Sequence, residues 1–229
     1  MKTFLLAALL LPLLLSFDGL YAQDWPALNH FAGENAALKS PKPGENRVVF
    51  MGNSITIGWL NTMPEFFEGK PYVNRGISGQ TTPQMLLRFR QDVVKLKPRV
   101  VVILAGTNDI AGNTGPVTQD MIMDNLKSMA ELARANDIAV VLCSVLPAYD
   151  YPWRPGLNPK EKIPALNTAI RAYARENDLV YLDYFSALAN DKNGLDPELA
   201  ADGVHPTKKG YQIMAPLAEA AIARALTNK

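Results

Sequence analysis

Short, continuous apolar runs alternate along this chain with longer segments of helical periodicity, and this alternation constrains the fold more than any other feature. The runs are uninterrupted rather than alternately polar and apolar, which is typical of strands covered on both faces. Strand, helix, strand, helix throughout predicts an open parallel sheet with helices on both sides. The predicted strands are 47–51, 72–74, 99–105, 138–145 and 179–182.

The predicted helices carry signals at their ends. Thr82 and Pro83 are expected to supply an N-cap and the first helical position of one helix. Another is expected to begin at Asn158, with Glu161 returning the capping bond and Pro164 kinking or restarting the helix. Two further helices are predicted over 118–135 and 207–226.

The first 22 residues read as an export signal rather than as part of the core. Lys2 precedes an apolar run over 4–15, which is shorter than the roughly 20 residues that a membrane-spanning helix needs. The sequence therefore predicts a signal peptide over 1–22 and a periplasmic or extracellular protein with no stable membrane anchor. Residues 23–46 lack periodicity and form an N-terminal strap, and residues 47–229 form one domain.

Composition excludes several classes of function. The 23 Lys and Arg residues nearly balance the 22 Asp and Glu residues, for a net charge of +1, so no strongly basic surface exists to bind nucleic acid. Cys143 is the only cysteine, so neither an intramolecular disulfide nor a cysteine-based metal cluster can form. Composition leaves the oligomeric state open.

Polar, glycine-bearing loops follow the predicted strands at the edge where open parallel sheets bind their ligands. Ser54 follows the first strand, and Asn108 follows the third. Near the end of the chain come Asp202 and His205. A hydroxyl, an amide, a carboxylate and an imidazole at one edge are the groups that acyl transfer needs.

The spacing of these residues predicts a catalytic triad. Ser54 needs a base, and His205 is the candidate because the other histidine lies in the strap. Asp202, three residues before His205, is close enough to accept the Nδ1–H bond. The Asn108 amide and the N–H groups of Gly79 and Ser54 are candidate donors to a developing oxyanion. Taken singly, each residue also suits a helix cap or a turn, so the joint occurrence carries the prediction.

These motifs resemble the four signature blocks of the SGNH hydrolases, also called GDSL esterases or lipases. The resemblance implies a flavodoxin-like three-layer α/β/α fold with no metal or organic cofactor. It also implies that Ser54 is nucleophile and oxyanion donor, that Gly79 and Asn108 complete the oxyanion hole, and that Asp202 and His205 complete the triad. The matching stretches are Gly52-Asn53-Ser54-Ile55, Gly79, Gly106-Thr107-Asn108-Asp109 and Asp202-Gly203-Val204-His205-Pro206.

One departure from the family pattern is Asn53, which stands where the family usually has aspartate. Asn53 is one candidate for substrate binding, together with Tyr149, Trp153 and Arg154 in the loop after the fourth predicted strand. Aromatic faces beside a cation suit a sugar ring, although the same aromatic residues also suit packing of the loop.

The substrate class follows from these candidates and from a further resemblance. The region around Ser54 resembles a secreted bacterial subgroup of acetyl or carbohydrate esterases. We therefore expect a secreted serine esterase that hydrolyses short-chain, mainly acetyl, esters of a small molecule or glycan. Alternatives are a lysophospholipase or thioesterase with the same triad, and a carbohydrate-binding protein without catalysis.

Overall fold

The computed structural model describes residues 23–227, so the predicted signal peptide over 1–22 lies outside the described residues. Five strands form one fully parallel sheet. They are β1 (Val48–Gly52), β2 (Tyr72–Gly76), β3 (Val100–Leu104), β4 (Ala139–Cys143) and β5 (Val180–Leu182). Their order across the sheet is β2-β1-β3-β4-β5, which is the flavodoxin-like order and confirms the predicted fold class.

The described residues also form eight α-helices, which cover both faces of the sheet. Within each strand, neighbouring residues face opposite sides: Val49 and Met51 pack against one apolar cluster, and Val48 and Phe50 against the other. The first cluster includes residues of α3, α5 and α6, and the second includes residues of α2 and α8. The helices are α1 (Ala32–Ala37), α2 (Ser54–Thr62), α3 (Thr82–Asp92), α4 (Thr107–Ile110), α5 (Gln119–Arg134), α6 (Pro159–Glu176), α7 (Phe185–Leu188) and α8 (Lys208–Thr227).

The predicted N-caps of two helices, α3 and α6, differ from those in the structure. The N-cap of α3 is Thr81, whose backbone N–H donates to Gln84 Oε1 at 3.1 Å, and not Thr82. Asn158 does precede α6, but its backbone is left-handed and its Nδ2 donates to Glu161 Oε2 at 2.6 Å, so its side chain caps no backbone N–H group. Pro164 lies inside α6, which continues through it to Glu176.

The strap packs along α3 and contains the short helix α1, which the sequence did not predict. Side-chain amides of the α3 region donate to backbone carbonyls of the strap: Gln80 to Pro26 at 2.8 Å, and Gln84 to Trp25 at 2.8 Å. These bonds place residues 25 and 26 directly beside the loop that leads into α3. Among residues 23–227, no helix combines the length and the hydropathy that crossing a membrane requires.

Two glycines allow α2 to lie directly on the carboxyl edge of the sheet. Gly52 and Gly76 end β1 and β2 and are register partners. A Cβ atom on Gly76 would lie 2.4 Å from the Ile57 nitrogen, and one on Gly52 would lie 2.0 Å from Thr56 Oγ1. Because both neighbours belong to the first turn of α2, these glycines set how closely the residues after β1 approach the second strand.

Candidate active site

Ser54 is the first residue of α2, two residues after β1 ends, and Asn53 between them is the N-cap of the helix. The Asn53 Oδ1 atom accepts the Ile55 backbone N–H at 3.1 Å, and the residue is only 1% exposed. The Asn53 side chain is therefore buried and caps the helix, and the substrate contact predicted for it stays a prediction. An aspartate oxygen would accept the same bond, so the departure from the family motif preserves this cap.

Ser54, His205 and Asp202 form a continuous chain of hydrogen-bonding atoms. Ser54 Oγ lies 2.8 Å from His205 Nε2, and His205 Nδ1 lies 2.6 Å from Asp202 Oδ2. The serine and the histidine are 151 positions apart in the sequence, so the fold brings them together. Their distances are within the range expected for a nucleophile, its base and the group that orients the base.

The Asp202 carboxylate is held by its own turn. Its Oδ1 atom accepts the backbone N–H groups of Val204 at 3.0 Å and of His205 at 2.8 Å, which leaves Oδ2 for the imidazole. Partial burial acts to raise the pKa of Asp202, but the hydrogen bonds from the backbone and ring of His205 and from Val204 outweigh it and lower that pKa. The carboxylate is therefore ionised at neutral pH and faces Nδ1 of the histidine.

The helix that carries Ser54 is braced by the helix that follows His205. Tyr211, in α8, donates its hydroxyl to the backbone carbonyl of Ile55 at 2.8 Å, and its ring stacks on Trp59 with centroids 5.4 Å apart. Both aromatic side chains are buried. Because these contacts join the first turns of α2 and α8, they restrain the distance between the serine and the histidine.

Gly79 and Asn108 are brought together by bonds between their loops. Asn108 lies in the first turn of α4, after β3, and its Nδ2 donates to the Gln80 carbonyl at 2.9 Å. The Gly79 carbonyl accepts Asn113 Nδ2 at 3.1 Å, and Gly79 has a left-handed φ of 76°. Within residues 23–227, the backbone N–H groups of Ser54 and Gly79 take no part in the loop and cap hydrogen bonds. Both therefore remain able to donate to a ligand.

Asp109 fastens the Gly79 loop to the Asn108 loop, a role that the sequence did not indicate. Its carboxylate accepts the Thr82 backbone N–H at 3.0 Å and the Thr82 hydroxyl at 2.6 Å. Burial raises the pKa of Asp109 against the lowering effect of these bonds. The motif contained Asp109, but its partner lies 27 positions earlier, and only a tertiary contact reveals the pairing.

The loop between β4 and α6 places one aromatic side chain beside the triad. Trp153 is 45% exposed, and its ring centroid lies 6.1 Å from that of His205. It stacks on buried Tyr151, whose hydroxyl forms a 2.9 Å hydrogen bond with Thr107, the residue before Asn108.

The other two loop candidates differ from Trp153. Tyr149 is 52% exposed and lies under the Lys160 ammonium, which is 4.5 Å from the ring centroid. Arg154 Nη1 donates to the carbonyls of Ala111 and Gly112 at 3.0 and 2.6 Å, so this nitrogen braces the loop after α4. The structure thus places Trp153 against the triad, leaves Tyr149 exposed, and gives Arg154 a bracing contact.

Comparison with known proteins finds similar sequences and similar structures. Residues 50–213 match the GDSL-like lipase/acylhydrolase family. A crystal structure of a GDSL-like lipase from Bacteroides thetaiotaomicron superposes with a TM-score of 0.85 at 50% identity, covering 88% of this chain and 99% of that one.

Two curated relatives are more distant. An acetylxylan esterase from Xylanibacter ruminicola is 26% identical in an alignment of 223 residues that covers 81% of this chain and 45% of that protein. The chain therefore spans about half the length of this relative. The esterase TesA from Pseudomonas aeruginosa is 29% identical over 168 residues, which is 71% of this chain and 77% of that protein.

Proposed function

Because the chain belongs to the GDSL-like lipase/acylhydrolase family, whose members are serine ester hydrolases, we propose that it removes short acyl groups, mainly acetyl, from carbohydrate. The observation that carries this proposal is the Ser54–His205–Asp202 chain, with its two links of 2.8 and 2.6 Å. In this proposal the three residues are nucleophile, general base and orienting carboxylate.

The proposed reaction begins when Ser54 Oγ attacks the ester carbonyl carbon and His205 Nε2 takes the hydroxyl proton. The carbonyl oxygen then carries the negative charge, which the Asn108 amide and the N–H groups of Gly79 and Ser54 stabilise. Collapse of this intermediate breaks the bond to the sugar oxygen, and that oxygen leaves with the proton held by His205. A water molecule then repeats the sequence on the acyl-enzyme and releases the carboxylic acid and free Ser54.

Asp202 orients the base in this scheme. With the carboxylate facing Nδ1, the ring proton resides on Nδ1, and Nε2 has a free lone pair directed at Ser54. The carboxylate also stabilises the imidazolium that forms while His205 holds the serine proton.

The carbohydrate part of the proposal rests on Trp153. An exposed indole ring beside the base offers a flat apolar face to the ring that carries the ester, and sugars stack on such faces. The acetylxylan esterase among the relatives supports the same substrate class. Export through the signal peptide proposed over 1–22 would bring the enzyme to polymeric glycans in the periplasm or outside the cell.

Acyl specificity is tested with p-nitrophenyl esters of increasing chain length and with acetate release from acetylated xylan. We expect kcat/KM to be highest for the acetyl ester and to fall with longer acyl chains, together with acetate release from the polymer. An optimum at about eight carbons or more would contradict the acetyl proposal and favour the lysophospholipase or thioesterase reading. Binding of acetylated xylan without turnover would instead favour a non-catalytic carbohydrate-binding protein.

The role of Trp153 is tested by its replacement with alanine. Because an aromatic contact contributes about 0.5–1.5 kcal/mol, Trp153→Ala is expected to raise KM for acetylated xylooligosaccharide about 2- to 10-fold. KM for p-nitrophenyl acetate is expected to stay nearly unchanged, since this substrate carries no sugar. Trp153→Phe should restore most of the affinity, and Leu87→Ala, at an exposed position on α3, is the control. Equal effects on both substrates would contradict a sugar-stacking role.

A further inference from the structure

Arg88, in α3, is fully buried beneath the candidate active site, and its guanidinium group donates in three directions. Nη2 donates to the Gly52 carbonyl at 3.1 Å and to the Arg75 carbonyl at 2.9 Å. Nε donates to Gln80 Oε1 at 2.5 Å, and Nη1 donates to Asp92 at 3.0 Å. One rigid side chain is thus bonded to the ends of two strands and to the loop before its own helix.

Three of these acceptors lie within four residues of a proposed catalytic group. Gly52 is two residues before Ser54, and Arg75 is four residues before Gly79. Gln80 follows Gly79, and its backbone carbonyl accepts the Asn108 side-chain amide. Every loop that contributes to the proposed oxyanion hole is therefore bonded to Arg88 or to a residue that Arg88 holds.

We propose that Arg88 is a positioning residue, which sets the distance between Ser54 and the oxyanion donors of Gly79 and Asn108. This inference rests on the proposed esterase function. The planar guanidinium fixes its acceptors in one plane at set angles, which the single ammonium of a lysine does not do. A buried ion pair such as Arg88–Asp92 is also weak evidence for stability, because apolar residues of similar volume often serve stability equally well. Apolar residues in place of this ion pair would not hold Gly52, Arg75 and Gln80 at fixed positions beside the site.

The strap completes the same network. Asn35 Nδ2 donates to Asp92 at 2.6 Å, and Asn35 Oδ1 accepts from Arg75 Nη2 at 2.7 Å. Gln80, the partner of Arg88 Nε, donates its own amide to Pro26. Two partners of Arg88, Asp92 and Gln80, are therefore also held by the strap, which restricts their movement.

The experiment compares Arg88→Lys and Gln80→Leu with the control Arg47→Lys. Arg47 is also nearly buried, and it donates to the carbonyls of Leu96 and Lys39. It lies just before β1, at the amino end of the strand, whereas Ser54 follows the carboxyl end. For each protein we would measure the melting temperature, kcat and KM for p-nitrophenyl acetate, and the rate at which an alkyl fluorophosphonate labels Ser54. The fluorophosphonate oxygen occupies the oxyanion position, so labelling reports the geometry without turnover.

A misplacement of about 1 Å costs on the order of 100-fold in rate, so we expect kcat of Arg88→Lys to fall about 10- to 100-fold, with KM changed by less than about twofold. The labelling rate should fall in the same proportion. Gln80→Leu should show a smaller loss of the same kind and decides the question if Arg88→Lys does not fold. Arg47→Lys should lose stability but keep its kcat.

Two results would overturn the inference while leaving the proposed function intact. In the first, the wild type is active, and both Gln80→Leu and any folded Arg88→Lys keep the wild-type kcat and labelling rate. The other is a loss of kcat in Arg47→Lys equal to that in the test variants, which would mean that general destabilisation explains the effect. A wild type that neither hydrolyses esters nor reacts with the fluorophosphonate would overturn the proposed function and this inference together.

Discussion

Replacing Ser54 with alanine is expected to lower kcat for p-nitrophenyl acetate by about 10³-fold or more and to abolish fluorophosphonate labelling. The substitution removes the oxygen that lies 2.8 Å from His205 Nε2, so no nucleophile remains for the base to activate. The fold should not suffer, because the side chain that caps α2 belongs to Asn53 and not to Ser54. We expect a change in the free energy of unfolding within about 0.5 kcal/mol, measured by urea denaturation.

The matched control is Ser128→Ala, which removes a hydroxyl bonded to the Asp124 carbonyl on α5. It should retain wild-type activity. The kcat of His205→Ala is expected to fall to a value near that of Ser54→Ala, because residues that act as one unit lose their effect together. Activity that survives in Ser54→Ala would contradict the triad and favour a different nucleophile.

The sequence predicted the sheet well because the apolar runs report burial directly. All five strands overlap the predicted ranges, although β2 extends to Gly76 where the prediction ended at residue 74, and the strand order is flavodoxin-like. The error at β2 has a physical cause. This strand continues to Gly76 through Arg75, a charged residue whose guanidinium N–H groups are accepted by the Asn35 side chain and the Asn74 carbonyl, so that it can be buried. A prediction that relies on apolar residues therefore ends the strand before Arg75.

The sequence also identified the residues that the fold assembles at the sheet edge, because each follows the carboxyl end of a strand or precedes the last helix. Their catalytic roles stay a prediction. What the sequence did not reveal were contacts between polar residues distant in the chain. Thr82 is not the cap of α3 because its hydroxyl is bonded to Asp109. The sequence also does not show that the Asn53 side chain is buried as the N-cap of α2.

The position of Asp202 leads to the second large expected effect. In Asp202→Asn, an amide oxygen in the place of Oδ1 still accepts the backbone N–H groups of Val204 and His205. The amide nitrogen then faces His205 Nδ1 and donates to it, so the ring proton moves to Nε2, which can no longer accept the proton of Ser54. If the amide is turned the other way, its nitrogen faces the backbone N–H groups of Val204 and His205, which then have no acceptor. Each orientation therefore leaves one essential bond unmade.

This substitution lowers kcat about 10⁴-fold in the best-studied serine-protease triad, where the aspartate is buried. Here the Asp202 side chain is 43% exposed and that of His205 is 40% exposed, so water can partly replace the lost interactions. We therefore expect Asp202→Asn to lower kcat for p-nitrophenyl acetate by a smaller factor, on the order of 10²- to 10³-fold. Asp202→Glu keeps the negative charge but has a longer side chain, and its loss of kcat should be smaller. A loss of less than about tenfold in Asp202→Asn would contradict an orienting role for this carboxylate.

The same carboxylate should leave a signature in stability against pH. Its pKa is lower in the folded chain than in the unfolded chain, so its ionised form contributes stability above the unfolded value. That contribution is lost as the pH falls through the folded value, where the carboxylate takes up its proton. The wild type is therefore expected to be more stable than Asp202→Asn at neutral pH, and the difference should close on acidification. Thermal unfolding of both proteins across this range measures it, and a pH-independent difference would mean that the charge of Asp202 contributes nothing to the turn that holds His205.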